Sequence, residues 1–125
     1  MEPVSRAKVL IVDDEVLITT ALRRHLQGEH DVTVVNDPHE ALSLLREGTT
    51  FDVILCDLMM PRMTGVQLYR ELSSLAPAQA AAMILMTGGT IAPETDDHLD
   101  GVPRLAKPFK LDELRMVIET VRHRA

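Results

Sequence analysis

The chain has 125 residues, just under the roughly 150 that serve as a prior for one domain, so there is no room for a second. With 46% hydrophobic and 26% charged residues it sits near globular averages, which excludes disorder, collagen-like repeats and a coiled coil. Thirteen basic residues against nineteen acidic ones give a net charge of −6, an excess of acid that predicts no direct binding to nucleic acid or to an anionic membrane.

From Met1 to Lys8 there is no long apolar stretch, and the single cysteine cannot form an internal disulfide, so the expected compartment is the cytoplasm. The run Val9-Leu10-Ile11-Val12 predicts a first strand, apolar at every position and therefore covered on both faces. Leu17, Ile18, Ala21, Leu22, His25 and Leu26 recur at three and four and predict an amphipathic helix. Val32-Thr33-Val34-Val35 reads as a second strand. Asp37-Pro38 supplies the cap and first position of a second helix carrying Ala41, Leu42, Leu44 and Leu45, and Gly48 ends it. Val53-Ile54-Leu55-Cys56 predicts the third strand, and Leu68, Tyr69, Leu72 and Leu75 a third helix. Met83-Ile84-Leu85-Met86 predicts the fourth strand. It lies in the longest apolar run, Ala80 to Met86, far short of the about 20 residues that cross a bilayer. Pro93, Gly101 and Pro103 crowd the next segment, leaving room for a short helix near Pro93 to Leu99 and a fifth strand around Arg104-Leu105-Ala106. After Pro108, Leu111, Leu114, Val117, Ile118 and Val121 mark a last helix. Strict alternation of this kind predicts a three-layer α/β sandwich on a parallel sheet.

In an open parallel sheet, ligands bind outside the carboxyl ends of the strands. The residues following the five runs are Asp13, Asn36, Asp57, Thr87 and Lys107, with Asp14 beside Asp13. Each has an ordinary reading: Asp13-Asp14 as a helix cap, Asp57 as a turn former, Thr87 as a strand end, Lys107 as a solvated lysine. Acid, acid, hydroxyl and base arriving together at one edge favour function. Gathered carboxylates repel unless a cation joins them, and few, hard oxygen ligands describe magnesium better than zinc or calcium. The histidines (His25, His30, His39, His98, His123) lack metal spacing and read as surface or helix-face residues, and Cys56 reads as buried and inert. No phosphate-binding glycine loop, nucleophile elbow or aromatic-basic interleaving is present.

The segments V-D-D-E at Val12 to Glu15, D-L-M-M-P-R-M-T-G at Asp57 to Gly65, M-T-G-G at Met86 to Gly89 and K-P-F at Lys107 to Phe109 resemble a response-regulator receiver domain of two-component signalling. The likeness runs from Ala7 to Arg122 and implies one receiver domain over residues 1–125. It implies a flavodoxin-like, doubly wound five-stranded parallel sheet in the order 2-1-3-4-5 with helices on both faces, the fourth helix short. It further implies Asp57 as phosphoacceptor, and Asp13 and Asp14 as an acidic pair holding Mg2+ with Asp57, the backbone carbonyl of Met59 and waters. Thr87 would be the hydroxyl that turns onto the phosphoryl group, Lys107 its counter-ion, and the Lys107-Pro108 bond cis. The implied partner is the phosphohistidine of a histidine kinase or phosphotransfer domain, and the implied role is a phosphoacceptor rather than an enzyme.

Three departures bear on output. Arg104 stands where the family usually has Tyr or Phe, Pro93 interrupts the fourth helix, and Asp100-Gly101-Val102-Pro103 replaces the usual Gly-Ala turn. The run from T-G-G to K-P-F looks most like receivers of hybrid sensor histidine kinases, and the altered face predicts a monomer. The rival readings are a non-phosphorylated pseudo-receiver, against which all five site positions stand, and a haloacid-dehalogenase-type phosphatase, whose D-x-D-x-[TV] motif Val12 to Val16 does not supply.

Overall fold

Strands apolar at every position need cover on both faces, and the computed structural model of the chain, which describes residues 6–88 and 101–123, supplies it. β1 (Lys8–Val12), β2 (Asp31–Val35), β3 (Val53–Asp57), β4 (Met83–Gly88) and β5 (Arg104–Lys107) form one parallel sheet in the order β2-β1-β3-β4-β5. The helices are α1 (Val16–Leu26), α2 (Pro38–Arg46), α3 (Gly65–Leu75), the single turn α4 (Pro77–Ala80) and α5 (Leu111–Arg122).

Successive strand residues point to opposite faces, which divides the interior into two cores. Leu10, Val12, Ile54, Cys56 and Leu85 pack with Leu42, Leu45, Leu68 and Leu72 of α2 and α3. Val9, Ile11, Val53, Leu55, Ile84 and Met86 pack with Leu22, Leu26, Leu114 and Ile118 of α1 and α5. The register aligns Val12 with Val35 and Cys56, Asp57 with Met86, and Gly88 with Lys107. The carboxyl ends of the strands therefore finish close together, which is what sets the site.

The local signals act as their chemistry dictates. Asp37 Oδ1 accepts the N–H of His39 at 2.9 Å ahead of Pro38, and Gly48 takes φ +95° just beyond the end of α2. The third helix begins three residues before its apolar pattern, at Gly65, because Thr64 and Gln67 close a capping box: Gln67 N–H to Thr64 Oγ1 at 3.2 Å, and Thr64 N–H to Gln67 Oε1 at 2.8 Å. The run Ala80 to Met86 divides, Ala80 ending α4 and Met83 opening β4. Gln79 of α4 is buried and pairs with the backbone of Phe51, accepting its N–H at 2.8 Å and donating to its carbonyl at 3.0 Å.

Two expectations need correction. Leu17 does not belong to the buried face of α1: it is 86% exposed, because the inward row is Ile18, Leu22 and Leu26, and Leu17, Ala21 and His25 form the adjacent outward row. His30 is not a surface residue. It lies buried at the start of β2, its Nδ1 accepting the N–H of Ala7 at 3.1 Å, while the Arg6 guanidinium gathers the carbonyls of Gln27, Gly28 and His30 at the end of α1. His25, His39 and His123 are exposed. The short helix expected near Pro93 to Leu99, with His98, lies outside the described residues. Among the described residues no helix is long and apolar enough to cross a membrane.

Burial, helped by the positive charge of Arg122 and of Arg6 and opposed by Glu119 and Glu29, holds His30 below the ordinary histidine pKa. The unfolded chain takes up that proton near pH 6.5, so below this value the unfolded state binds more protons and folding stability falls as pH drops. Urea-unfolding midpoints between about pH 7.5 and 5.5 should show this decline. His30→Asn, whose amide oxygen can accept the same N–H, should flatten it, whereas His30→Ala should cost about 1–3 kcal/mol by leaving the Ala7 N–H unpaired.

Candidate functional site

At the end of β1 the chain turns through Asp13, Asp14 and Glu15 into α1. The Asp13 N–H donates to the Val35 carbonyl at 3.3 Å, and Asp13 Oδ1 accepts the N–H of Glu15 at 3.0 Å, a local turn contact. The helix-cap reading of Asp13-Asp14 needs correction, because the cap position of α1 falls on Glu15. The other carboxylate oxygen of Asp13 has a second task. Asp13 is fully buried, and Oδ2 accepts from the Lys107 ammonium at 3.0 Å.

Asp57 is the last residue of β3 and 6% exposed, and its Oδ1 accepts from the same Lys107 Nζ at 3.2 Å. Lys107 closes β5, so a contact spanning 94 positions of sequence joins β1 to β5 across the sheet edge. Asp14 is exposed on the same edge, and carboxylate oxygens of Asp13, Asp14 and Asp57 lie within 4.8 Å of one another. Thr87 and Gly88 are half-buried at the end of β4, between β3 and β5, with Gly88 level with Lys107. The Lys107-Pro108 bond is cis. Met59 is two residues beyond Asp57 with its side chain 55% exposed. Asp57 and Lys107 are the last residues of their strands and Thr87 is the last but one of its own, so all three belong to the strands instead of following them.

Charge dominates the chemistry here. Burial, reinforced by the negative charge of Asp13 and only partly offset by Lys107, raises the Asp57 pKa above the usual carboxylate value. Burial works against the Lys107 ammonium too, but its hydrogen bonds to Asp13 and Asp57 and their charges outweigh this and hold its pKa above that of an ordinary lysine. Among the described residues, one ammonium against three carboxylates leaves the edge negative. Clustered hard oxygen donors with an exposed member fit a divalent cation such as Mg2+, which keeps some of its waters. Cys56 beside them is buried, and burial together with the charges of Asp57 and Asp13 pushes its thiol well above the ordinary value, so it is inert as a nucleophile.

Two supports of this edge were not legible as such in the residue pattern. Gly65 is packed so closely on the end of β3 that a β-carbon there would lie 2.7 Å from the Asp57 carbonyl oxygen and 3.0 Å from Leu58 Cα, and its N–H donates to the Leu58 carbonyl at 2.9 Å. Only the absence of a side chain lets α3 start against the strand. Arg62, at φ +70° in the loop after Asp57, reaches the α2 cap, its Nη2 lying 3.0 Å from Asp37 Oδ2.

Because the folded state favours protonated Asp57 more than the unfolded state does, folding stability falls as pH rises from the unfolded carboxylate value through the raised folded one. Asp57→Asn removes this penalty. In metal-free buffer at neutral pH the variant should be more stable by about 0.5–2 kcal/mol, the range common to single stabilising substitutions. Thermal melts without and with Mg2+ test this: the gain should shrink when the cation stabilises the wild-type carboxylates.

Comparison with known proteins points the same way as this geometry. A family model described as "Response regulator receiver domain" matches residues 9–119. The transcriptional regulatory protein ZraR of Salmonella typhimurium is 32% identical over 114 residues, which cover 89% of this chain and 25% of that protein. The hydrogenase transcriptional regulatory protein HoxA of Cupriavidus necator is 37% identical over 123 residues, covering 94% of this chain and 24% of that protein. The chain thus spans about a quarter of the length of these curated relatives. Among solved structures, a response regulator receiver domain protein from Clostridium thermocellum superposes with a TM-score of 0.82 at 26% identity, over 94% of this chain and 95% of that one.

Proposed function

The chain belongs to the response regulator receiver domains, and from that premise we propose that Asp57 accepts a phosphoryl group from the phosphohistidine of a histidine kinase or phosphotransfer domain. The observation that carries this reading is the convergence of Asp13, Asp14, Asp57 and Lys107 at one sheet edge. A carboxylate oxygen of Asp57 attacks phosphorus, the phosphorus–nitrogen bond to the partner's imidazole breaks, and an acyl phosphate forms on Asp57. Mg2+ held by Asp13, Asp14, Asp57 and the Met59 carbonyl would neutralise the charge that spreads over the transferring oxygens. Lys107 exchanges one carboxylate partner for a phosphoryl oxygen, and Thr87, together with the backbone N–H groups of Met59 and Gly88, donates to the others. These groups must absorb about −1.5 to −2 added charges, which makes the edge a switch. A small donor such as acetyl phosphate has the same reactive group and serves the same chemistry.

The partner's helical surface would meet α1 and the loops around Asp57 and Lys107, where Val16 and Leu17 stand 60% and 86% exposed beside Asp14. Met59 has no side-chain group to orient a hydrolytic water, so loss of the phosphoryl group proceeds unassisted from that position. The retained acids, hydroxyl and lysine speak against a pseudo-receiver. The relatives are transcriptional regulators by name, whereas the likeness to hybrid-kinase receivers rests on the run from Thr87 to Phe109 alone. Most of the segment from which a monomer is expected, residues 89–100, lies outside the described residues, and with it Asp96, Asp97 and Asp100.

Intact-mass measurement after incubation with acetyl phosphate and Mg2+ tests the assignment. Wild type should gain one acid-labile acyl phosphoryl group and Asp57→Asn none, since an amide is not a nucleophile here. Labelling of Asp57→Asn at the wild-type rate would move the site. Lys107→Ala should keep Mg2+ affinity equal or higher, because it removes a positive charge next to the acids, while the conformational response to phosphorylation is impaired. Calorimetric titration with Mg2+ and amide chemical shifts in the presence of beryllofluoride check the two halves separately.

A further inference from the structure

Asp13 and Asp14 reach the cation edge by different means. The Asp13 carboxylate is fixed on both oxygens, by the Glu15 N–H and by Lys107. Asp14 has no side-chain hydrogen bond among the described residues, so the direction of its carboxylate is set by the backbone that carries it. That backbone is held from β2. Asn36, the residue that follows the strand, directs its amide Nδ2 at two acceptors: the carbonyl oxygen of Asp13 at 2.9 Å and Thr19 Oγ1 at 3.1 Å. Thr19 is 2% exposed and passes its own hydroxyl proton to the Val16 carbonyl at 3.1 Å. Glu15 gives α1 no side-chain cap. The first turn of the helix and the peptide joining Asp13 to Asp14 are therefore tied together by one side chain that comes from a neighbouring strand.

We infer that Asn36 is a positioning residue for divalent-cation binding: by holding the Asp13 carbonyl it sets the Asp13–Asp14 peptide so that the Asp14 carboxylate meets those of Asp13 and Asp57 within the span of one ion. The inference rests on the reading of the three acids as a cation site. An amide is suited to this task because it supplies two donors in one plane and brings no charge, whereas a further acid would add repulsion and a lysine would compete with the ion. Partners that orient ligating groups commonly matter to affinity by about 10–100-fold, and an exposed ligand with no side-chain partner depends on them most.

The test is calorimetric titration of the full chain with Mg2+ alone. Asn36→Ala should weaken binding by about tenfold, with the Mg2+ concentration for half-maximal phosphorylation by acetyl phosphate rising in parallel and the rate at saturating Mg2+ near wild type. Thr19→Val removes only the hydroxyl arm and should weaken binding in the same direction by less. The double variant should bind no more weakly than Asn36→Ala, because both changes break one clamp. His30→Ala, at the other end of the sheet, controls for stability: it lowers the melting temperature and should leave the Mg2+ affinity unchanged. If Asn36→Ala and Thr19→Val bind Mg2+ as wild type does and only melt earlier, Asn36 is structural and the inference is overturned. Failure of wild type itself to bind Mg2+ would overturn the cation reading beneath it, an outcome visible without any variant.

Discussion

Three carboxylates within 4.8 Å of one another at one edge of a sheet form an arrangement that cannot stand without positive charge, and the rest of the structure is organised around supplying it. Lys107 provides the part that the chain itself contributes, bridging Asp13 and Asp57 at 3.0 and 3.2 Å. Its single charge leaves the edge short of neutrality. That deficit is what fits the site for a divalent cation and, with the cation, for a phosphoryl group. Burial and the same deficit raise the Asp57 pKa, so the proposed phosphoacceptor is also the residue whose ionisation the metal-free fold resists.

The sheet makes this concentration of charge affordable. Five parallel strands run in register, so that residues distant in sequence end at the same level. Both faces are packed with aliphatic side chains, and β1 and β3 are apolar throughout their central positions. Burial at this scale favours folding by about 25 cal/mol for each Å² of apolar surface removed from water. A locally unfavourable edge is tolerated because the two cores do not depend on it.

Around the edge, contacts that involve none of the three clustered carboxylates do the aiming. Asn36 and Thr19 hold the acidic turn, Gly65 allows α3 to begin against the end of β3, and Arg62 links the loop after Asp57 to the cap of α2. Each ties a site loop to an element with its own core contacts, which reduces the freedom of the charged residues without adding to their repulsion. The exposed Val16 and Leu17 beside Asp14 lie outside this framework and present an apolar surface next to the reactive edge.

Much of this was legible in the residues alone. Unbroken aliphatic runs alternating with helical periodicity determined a parallel α/β sheet, because a strand such as Val53-Ile54-Leu55-Cys56 has no polar face to show to water. The positions following those runs determined where the acids, hydroxyl and lysine would gather, since parallel strands all end on one side. Periodicity failed where a polar contact or a missing side chain was decisive: the start of α3 at its capping box, the outward turn of Leu17, the burial of His30 behind the Ala7 N–H, and the close approach at Gly65. Only the tertiary structure decided that Lys107 would bridge two acids 94 and 50 positions away, and that Asn36 would grip the Asp13 carbonyl from a neighbouring strand. Composition and spacing report which groups a chain has and which way a segment can face, but a hydrogen bond needs its atoms within about 3 Å, and for residues so far apart in sequence that distance is set by strand order and register.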